Sequence, residues 1–192
     1  MREKLREFLD ERDSYVICQA DITYTAYMKP QIGEEELEKH KLAEADKKYT
    51  DKIEEGTPAE LVNLMRKEMP GQEQMLLRKK VLENDKECYE SVCMKVLTNR
   101  QDTFINNAIH YILRSEYVTK EWVLSNYSNI LSEYMKSLLC IKIGIEGTPE
   151  DIPFLMEEVE RFERDYPDET YSQGPVIALE HIEDQWEKGK FD

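Results

Sequence analysis

A stretch of eleven residues that occurs twice limits this chain's architecture most strongly. Residues 55–65 read Glu55-Gly56-Thr57-Pro58-Ala59-Glu60-Leu61-Val62-Asn63-Leu64-Met65, and residues 146–156 read Glu146-Gly147-Thr148-Pro149-Glu150-Asp151-Ile152-Pro153-Phe154-Leu155-Met156. Six positions are identical at an offset of 91 residues. Each copy spells a helix start. The glycine lets the preceding segment stop, and the threonine hydroxyl can accept a free backbone N–H of the first turn. Proline then occupies the first helical position, where its missing N–H costs nothing. Glu60 and Asp151 stand three residues after the threonines, at capping-box spacing, where a negative charge suits the helix dipole.

The rest of the chain reads as helical too. Glycine and proline number only seven each, few for a many-turned β fold. Residues 2–12 place Leu5, Phe8 and Leu9 on one face. Residues 13–33 combine strand-like types (Tyr15-Val16-Ile17-Cys18) with a helical stripe of Tyr15, Cys18, Ile22 and Ala26. The all-helical context favours helix there without closing the alternative. Residues 34–54 form a thinly apolar, mostly solvated helix. Helices follow over 58–69, 72–83 and 85–98. From Asp102 the stripe Phe104, Ile105, Ala108, Ile109, Ile112 and Leu113 is the cleanest in the chain and is expected at the core's centre. A run from Thr119, broken or kinked at 125–129, closes at Gly144 and Gly147. The second repeat helix spans 149–165, and Gly174-Pro175 opens the last. One all-helical domain over 1–192 is expected, with divergent helices over 1–54 and a repeat region over 55–192.

The expected fold class is all-α, with antiparallel helix pairs stacked as a solenoid or superhelix. A 91-residue offset is two units of about 45, within the range of HEAT and armadillo repeats. Ile152-Pro153-Phe154-Leu155-Met156-Glu157-Glu158-Val159 resembles the first helix of a HEAT repeat. Val176-Ile177-Ala178-Leu179-Glu180-His181-Ile182 resembles the end of its second helix. Leu61-Val62-Asn63-Leu64-Met65 is a weaker first-helix match, and residues 1–54 depart from the pattern. The resemblance implies architecture and says little about activity.

Chemical motifs are sparse. The chain has no Walker loop, Rossmann glycine set, G-x-S-x-G elbow or HExxH. Cys88 and Cys93 diverge by about 140° around a helix, a poor disulfide or metal pair. Together with Cys18 and Cys140 they read as buried free thiols in a reducing compartment. His40 reads as solvated, and His110 as a boundary or core residue. His181 with Asp184 is weighed as a metal pair and set aside as part of an acidic surface. No catalytic, cofactor-binding or metal-ligating residue is nominated.

Charge supplies the functional argument. There are 26 Lys and Arg against 41 Asp and Glu, a formal −15. That weighs against nucleic acid and anionic membranes as partners, both of which need cations. The N-terminus lacks an apolar signal core and no run is long enough to span a bilayer, so a cytoplasmic location is expected. The leading expectation is a non-enzymatic scaffold or adaptor without cofactors, whose acidic repeat surface binds a protein or peptide, preferably basic. One alternative is an acidic inhibitor or immunity-type protein that masks a cationic toxin or nucleic-acid enzyme. The other is a HEAT-like DNA glycosylase, which would have to concentrate its few cations on one face. The 115–136 segment mixes aromatics with uncharged polar residues, and Tyr117, Trp122, Tyr127 and Tyr134 are its candidate contact residues.

Overall fold

The computed structural model describes residues 1–12 and 48–191. The readings made for residues 13–47 lie outside the described residues. The described residues hold ten α-helices and no strand, so the fold is all-α, as the sequence indicates. Contacts gather them into two compact units, one of residues 1–12, 119–128 and 133–191, the other of residues 48–118 and 129–132.

The first unit contains α1 (Arg2–Asp10), α7 (Lys120–Asn126), α8 (Glu133–Glu146), α9 (Ile152–Asp165) and α10 (Gln173–Glu187). Helix α10 packs against α1, α8 and α9. Leu5, Phe8 and Leu9 of α1, Leu139 and Ile143 of α8, Leu155, Val159 and Phe162 of α9, and Val176, Leu179 and Ile182 of α10 form its apolar core. Helix α8 is buried on nearly every side from Ser137 to Gly144, the pattern of a helix sunk among others rather than lying on a surface. It approaches α10 closely. A Cβ on Gly144 would lie 2.4 Å from the Ala178 Cα, and one on Gly174 would lie 1.9 Å from the Ser137 carbonyl oxygen. Gly144 is therefore a packing residue inside α8, not the helix terminator the sequence suggests, and the helix continues to Glu146.

The second unit contains α2 (Thr50–Glu54), α3 (Pro58–Leu64), α4 (Gly71–Glu83), α5 (Asp85–Thr98) and α6 (Asp102–Ile112). The clean stripe on α6 is fully buried at Phe104, Ile105, Ala108, Ile109 and Ile112. Leu61 and Val62 of α3, Leu77 and Val81 of α4, and Cys88, Val92 and Val96 of α5 complete this core. Asn107, only 1 % exposed, joins three elements. Its amide donates to the Met65 carbonyl at 3.0 Å and its oxygen accepts from Arg78 Nε at 3.0 Å. Buried Glu73 accepts from the Tyr49 N–H at 2.5 Å and the Thr50 hydroxyl at 3.2 Å, closing the start of α2.

The repeated stretch falls once in each unit. In the second unit, the Thr57 hydroxyl accepts from the Glu60 N–H at 3.4 Å and the Glu60 carboxylate accepts from the Thr57 N–H at 2.8 Å. In the first, Asp151 Oδ2 accepts from the Thr148 N–H at 2.8 Å, and a short 3₁₀ turn (Pro149–Asp151) leads into α9. The likeness ends there. Helix α3 stops at Leu64, short of the expected Met69: the Arg66 and Lys67 N–H groups turn back to Asn63 and Leu64 in tighter 3₁₀-type bonds, and Asn107 satisfies the Met65 carbonyl left beyond the end. Helix α9 runs to Asp165. The expected break at 125–129 is present, as α7 ends at Asn126 and a 3₁₀ turn covers Tyr127–Asn129. Among the described residues no helix is long and apolar enough to cross a membrane.

Candidate interaction surface

The end of α9 and the loop after it gather aromatic side chains on the first unit. Phe162 and Tyr166 are one helical turn apart, so both point to one side of α9. A turn then closes from the Tyr166 carbonyl to the Glu169 N–H at 3.0 Å, with Pro167 at its second position, where its fixed φ fits. A second turn joins the Thr170 carbonyl to the Gln173 N–H at 3.1 Å. The Ser137 hydroxyl of α8 donates to the Tyr171 carbonyl at 2.6 Å and ties the loop to that helix.

These constraints place four rings together. Tyr171 stacks with Tyr134 at a centroid distance of 6.1 Å, tilts against Tyr166 at 5.5 Å and meets Phe162 edge to face at 5.9 Å. Phe162 is buried, and the three tyrosines are half-buried. A guanidinium already lies on this cluster, since Arg161 sits 4.2 Å over the Phe162 ring. Asp165, Asp168 and Glu169 are exposed nearby in sequence. Asp165 pairs with Arg164 at 2.8 Å. Asp168 and Glu169 make no ion pair among the described residues.

A charged network lies beside the rings. Arg161 binds Glu158 through two bonds of 2.9 and 2.7 Å, and reaches Glu133 at 2.9 Å. Lys136 joins Glu133 at 2.8 Å, and the Tyr127 hydroxyl donates to Glu158 at 2.5 Å. The hydrogen bonds that Arg161 donates to Glu158 do most to raise the Arg161 pKa. Burial pushes the Glu133 carboxyl upward, yet Lys136 and Arg161 together hold it below its ordinary value. Burial, with Cys140 and Glu158 beside it, raises the Tyr127 phenol. Every strong charge in this network is answered by a partner, which suits a structural clamp.

The four nominated residues part company. Tyr134 belongs to the ring cluster. Trp122 is half-buried on α7 of the same unit. Tyr127 is only 8 % exposed, packs edge-on against Phe154 at 5.1 Å and serves the interior. Tyr117 lies in the second unit, where it is 44 % exposed and tilted against Tyr89 at 6.1 Å. Phe162, Tyr166 and Tyr171 are not among the contact residues nominated from the sequence. The available signal was Tyr166-Pro167 followed by Thr170-Tyr171, a turn flanked by rings.

Other reactive groups are subdued. Burial raises the thiols of Cys88 to about 11 and of Cys93 and Cys140 to about 12, so all three stay protonated at neutral pH. Burial, with Arg78 and Arg114 adding repulsion, lowers His110 to about 3. His181 is lowered chiefly by burial. Among the described residues no group of three or more His, Cys, Asp or Glu is placed to hold a metal ion.

The charge is unevenly shared. The first unit's described residues carry 11 Lys and Arg against 20 Asp and Glu, a formal −9; the second unit's carry 11 against 12, a formal −1. No protein-family model, curated protein or solved structure matches this chain.

Proposed function

We propose that this protein is a non-enzymatic interaction module that binds a basic protein or peptide through the acidic surface of its first unit. The uneven charge carries the reading: among the described residues, a formal −9 lies on one unit and −1 on the other. A charge gathered on one unit sets up a directional field that draws cationic partners and repels nucleic acid and anionic lipid. The HEAT-like stack of helix pairs that the sequence resemblance implies belongs to the same reading, since such arrays offer extended surfaces to peptides.

The test is a pull-down from native lysate with the full chain as bait, washed over a series of salt concentrations. The reading expects stoichiometric partners of high isoelectric point that are released as salt rises. One cognate cationic partner would place the protein among inhibitors, and several would place it among adaptors. A folded bait that retains no such partner at low salt would remove the reading.

A further inference from the structure

The acidic unit needs a contact point that can select among cations, and the ring cluster supplies one. We propose that Tyr134, Tyr166 and Tyr171, with Asp168 and Glu169 beside them, receive an arginine side chain of the basic partner. This rests on the interaction-module reading and names its point of contact.

Three observations support it. First, the rings are half-buried and pinned. The double turn and the Ser137 bond to the Tyr171 carbonyl hold them in place before any partner arrives. Fixed rings lose little entropy on binding. Second, the fold already stacks a guanidinium on this cluster, with Arg161 at 4.2 Å from the centroid of Phe162. A planar, weakly hydrated guanidinium stacks on aromatic faces better than a compact ammonium does. Third, Asp168 and Glu169 are exposed on the same loop and carry no ion pair among the described residues. They can accept the guanidinium's N–H fork while its plane lies on a tyrosine. Three tyrosines in place of phenylalanines also suit a wet contact, because each keeps a polar tip.

Isothermal titration of the full chain with three matched peptides tests the assignment: one arginine-rich, one lysine-rich and one neutral. The arginine peptide should bind most tightly and the neutral one not at all. Tyr166→Leu, which keeps apolar bulk, should weaken the arginine peptide about two- to fivefold, the usual worth of one cation–π contact. Asp168→Asn with Glu169→Gln touches only exposed side chains and should also weaken it and flatten its salt dependence. Tyr117→Leu, in the other unit, should change nothing. Equal affinity for the lysine peptide would overturn the guanidinium assignment. Wild-type affinity in both the Tyr166 and the Asp168/Glu169 variants would overturn the site while leaving the acidic module standing. If no cationic peptide binds the wild type, the arginine site fails, and the salt-series pull-down decides separately whether the acidic module stands.

Discussion

The Tyr127 hydroxyl shows how little a residue's type says about its duty. In the sequence Tyr127 sits among serines and asparagines, the setting of a surface contact, yet its hydroxyl is buried against Glu158. The 3₁₀ turn that carries it is tighter than an α-helix, so the 3.6-residue spacing gives its direction wrongly. Its partner was equally hidden. Glu158 stands within an acidic run, and its burial on the inward face of α9 with its Arg161 and Tyr127 bonds separates it from solvated Glu157 and Glu160. Arg161→Met should cost about 1.5–3 kcal/mol, because Glu158 and Glu133 each lose a charged hydrogen-bond partner while Tyr127 and Lys136 still answer them. Tyr127→Phe should cost about 1.5–3 kcal/mol, the range for a hydrogen bond to a charged acceptor. Urea denaturation at neutral pH measures both, and a change below about 0.5 kcal/mol for Arg161→Met would refute the clamp. His110 gives a pH signature. The folded protein keeps it neutral down to about 3, whereas the unfolded chain protonates it near 6.5. The unfolded state therefore binds more protons between these values, and stability falls as pH drops through that window. His110→Gln should flatten the fall between pH 6.5 and about 4.5, above the range where most carboxylates titrate. An unchanged slope would show that the imidazole is not held neutral.

Helices were legible where one face is apolar and the partner is close in sequence. The stripe on α6 announces a buried helix, and the Glu-Gly-Thr-Pro copies announce two starts, because capping depends on residues three apart. Helix ends were less legible. The Met65 carbonyl left beyond the end of α3 is satisfied by Asn107, 42 residues further along the chain, and no local pattern contains that bond. Gly144 misled for a related reason. Glycine after an apolar run reads as a stop, yet here it makes room for Ala178, 34 residues away in the chain. Gly144→Ala should destabilise by about 1–3 kcal/mol, the usual cost of overpacking, although alanine is the better helix former. Thr57→Ala is a milder test, worth about 1 kcal/mol through the lost cap. Thermal unfolding of the two variants should therefore rank Gly144→Ala as at least as damaging, and the reverse order would mean that the α8–α10 approach relaxes freely.

At the scale of the whole chain, net charge is a poor guide until it is located. A formal −15 spread evenly would serve solubility alone. The described residues show instead a nearly neutral unit and a strongly acidic one, a contrast that the total conceals. Location can be separated from amount by experiment. Glu157, Glu160, Asp168 and Glu169 are exposed on the first unit, and Glu54, Glu55, Glu87 and Glu90 are exposed on the second. Converting either set to amides removes four negative charges, so the two variants share one net charge and differ only in where it was taken away. If the first unit steers a cationic partner, its variant should associate with an arginine-rich peptide more slowly, with a shallower dependence on ionic strength. The second-unit variant should stay near wild type, since its four charges belong to the unit that carries no contact surface for the partner. Stopped-flow association at several salt concentrations reads the difference directly. Equal slowing of both variants would show that total charge governs the encounter and that the acidic unit has no special part in it.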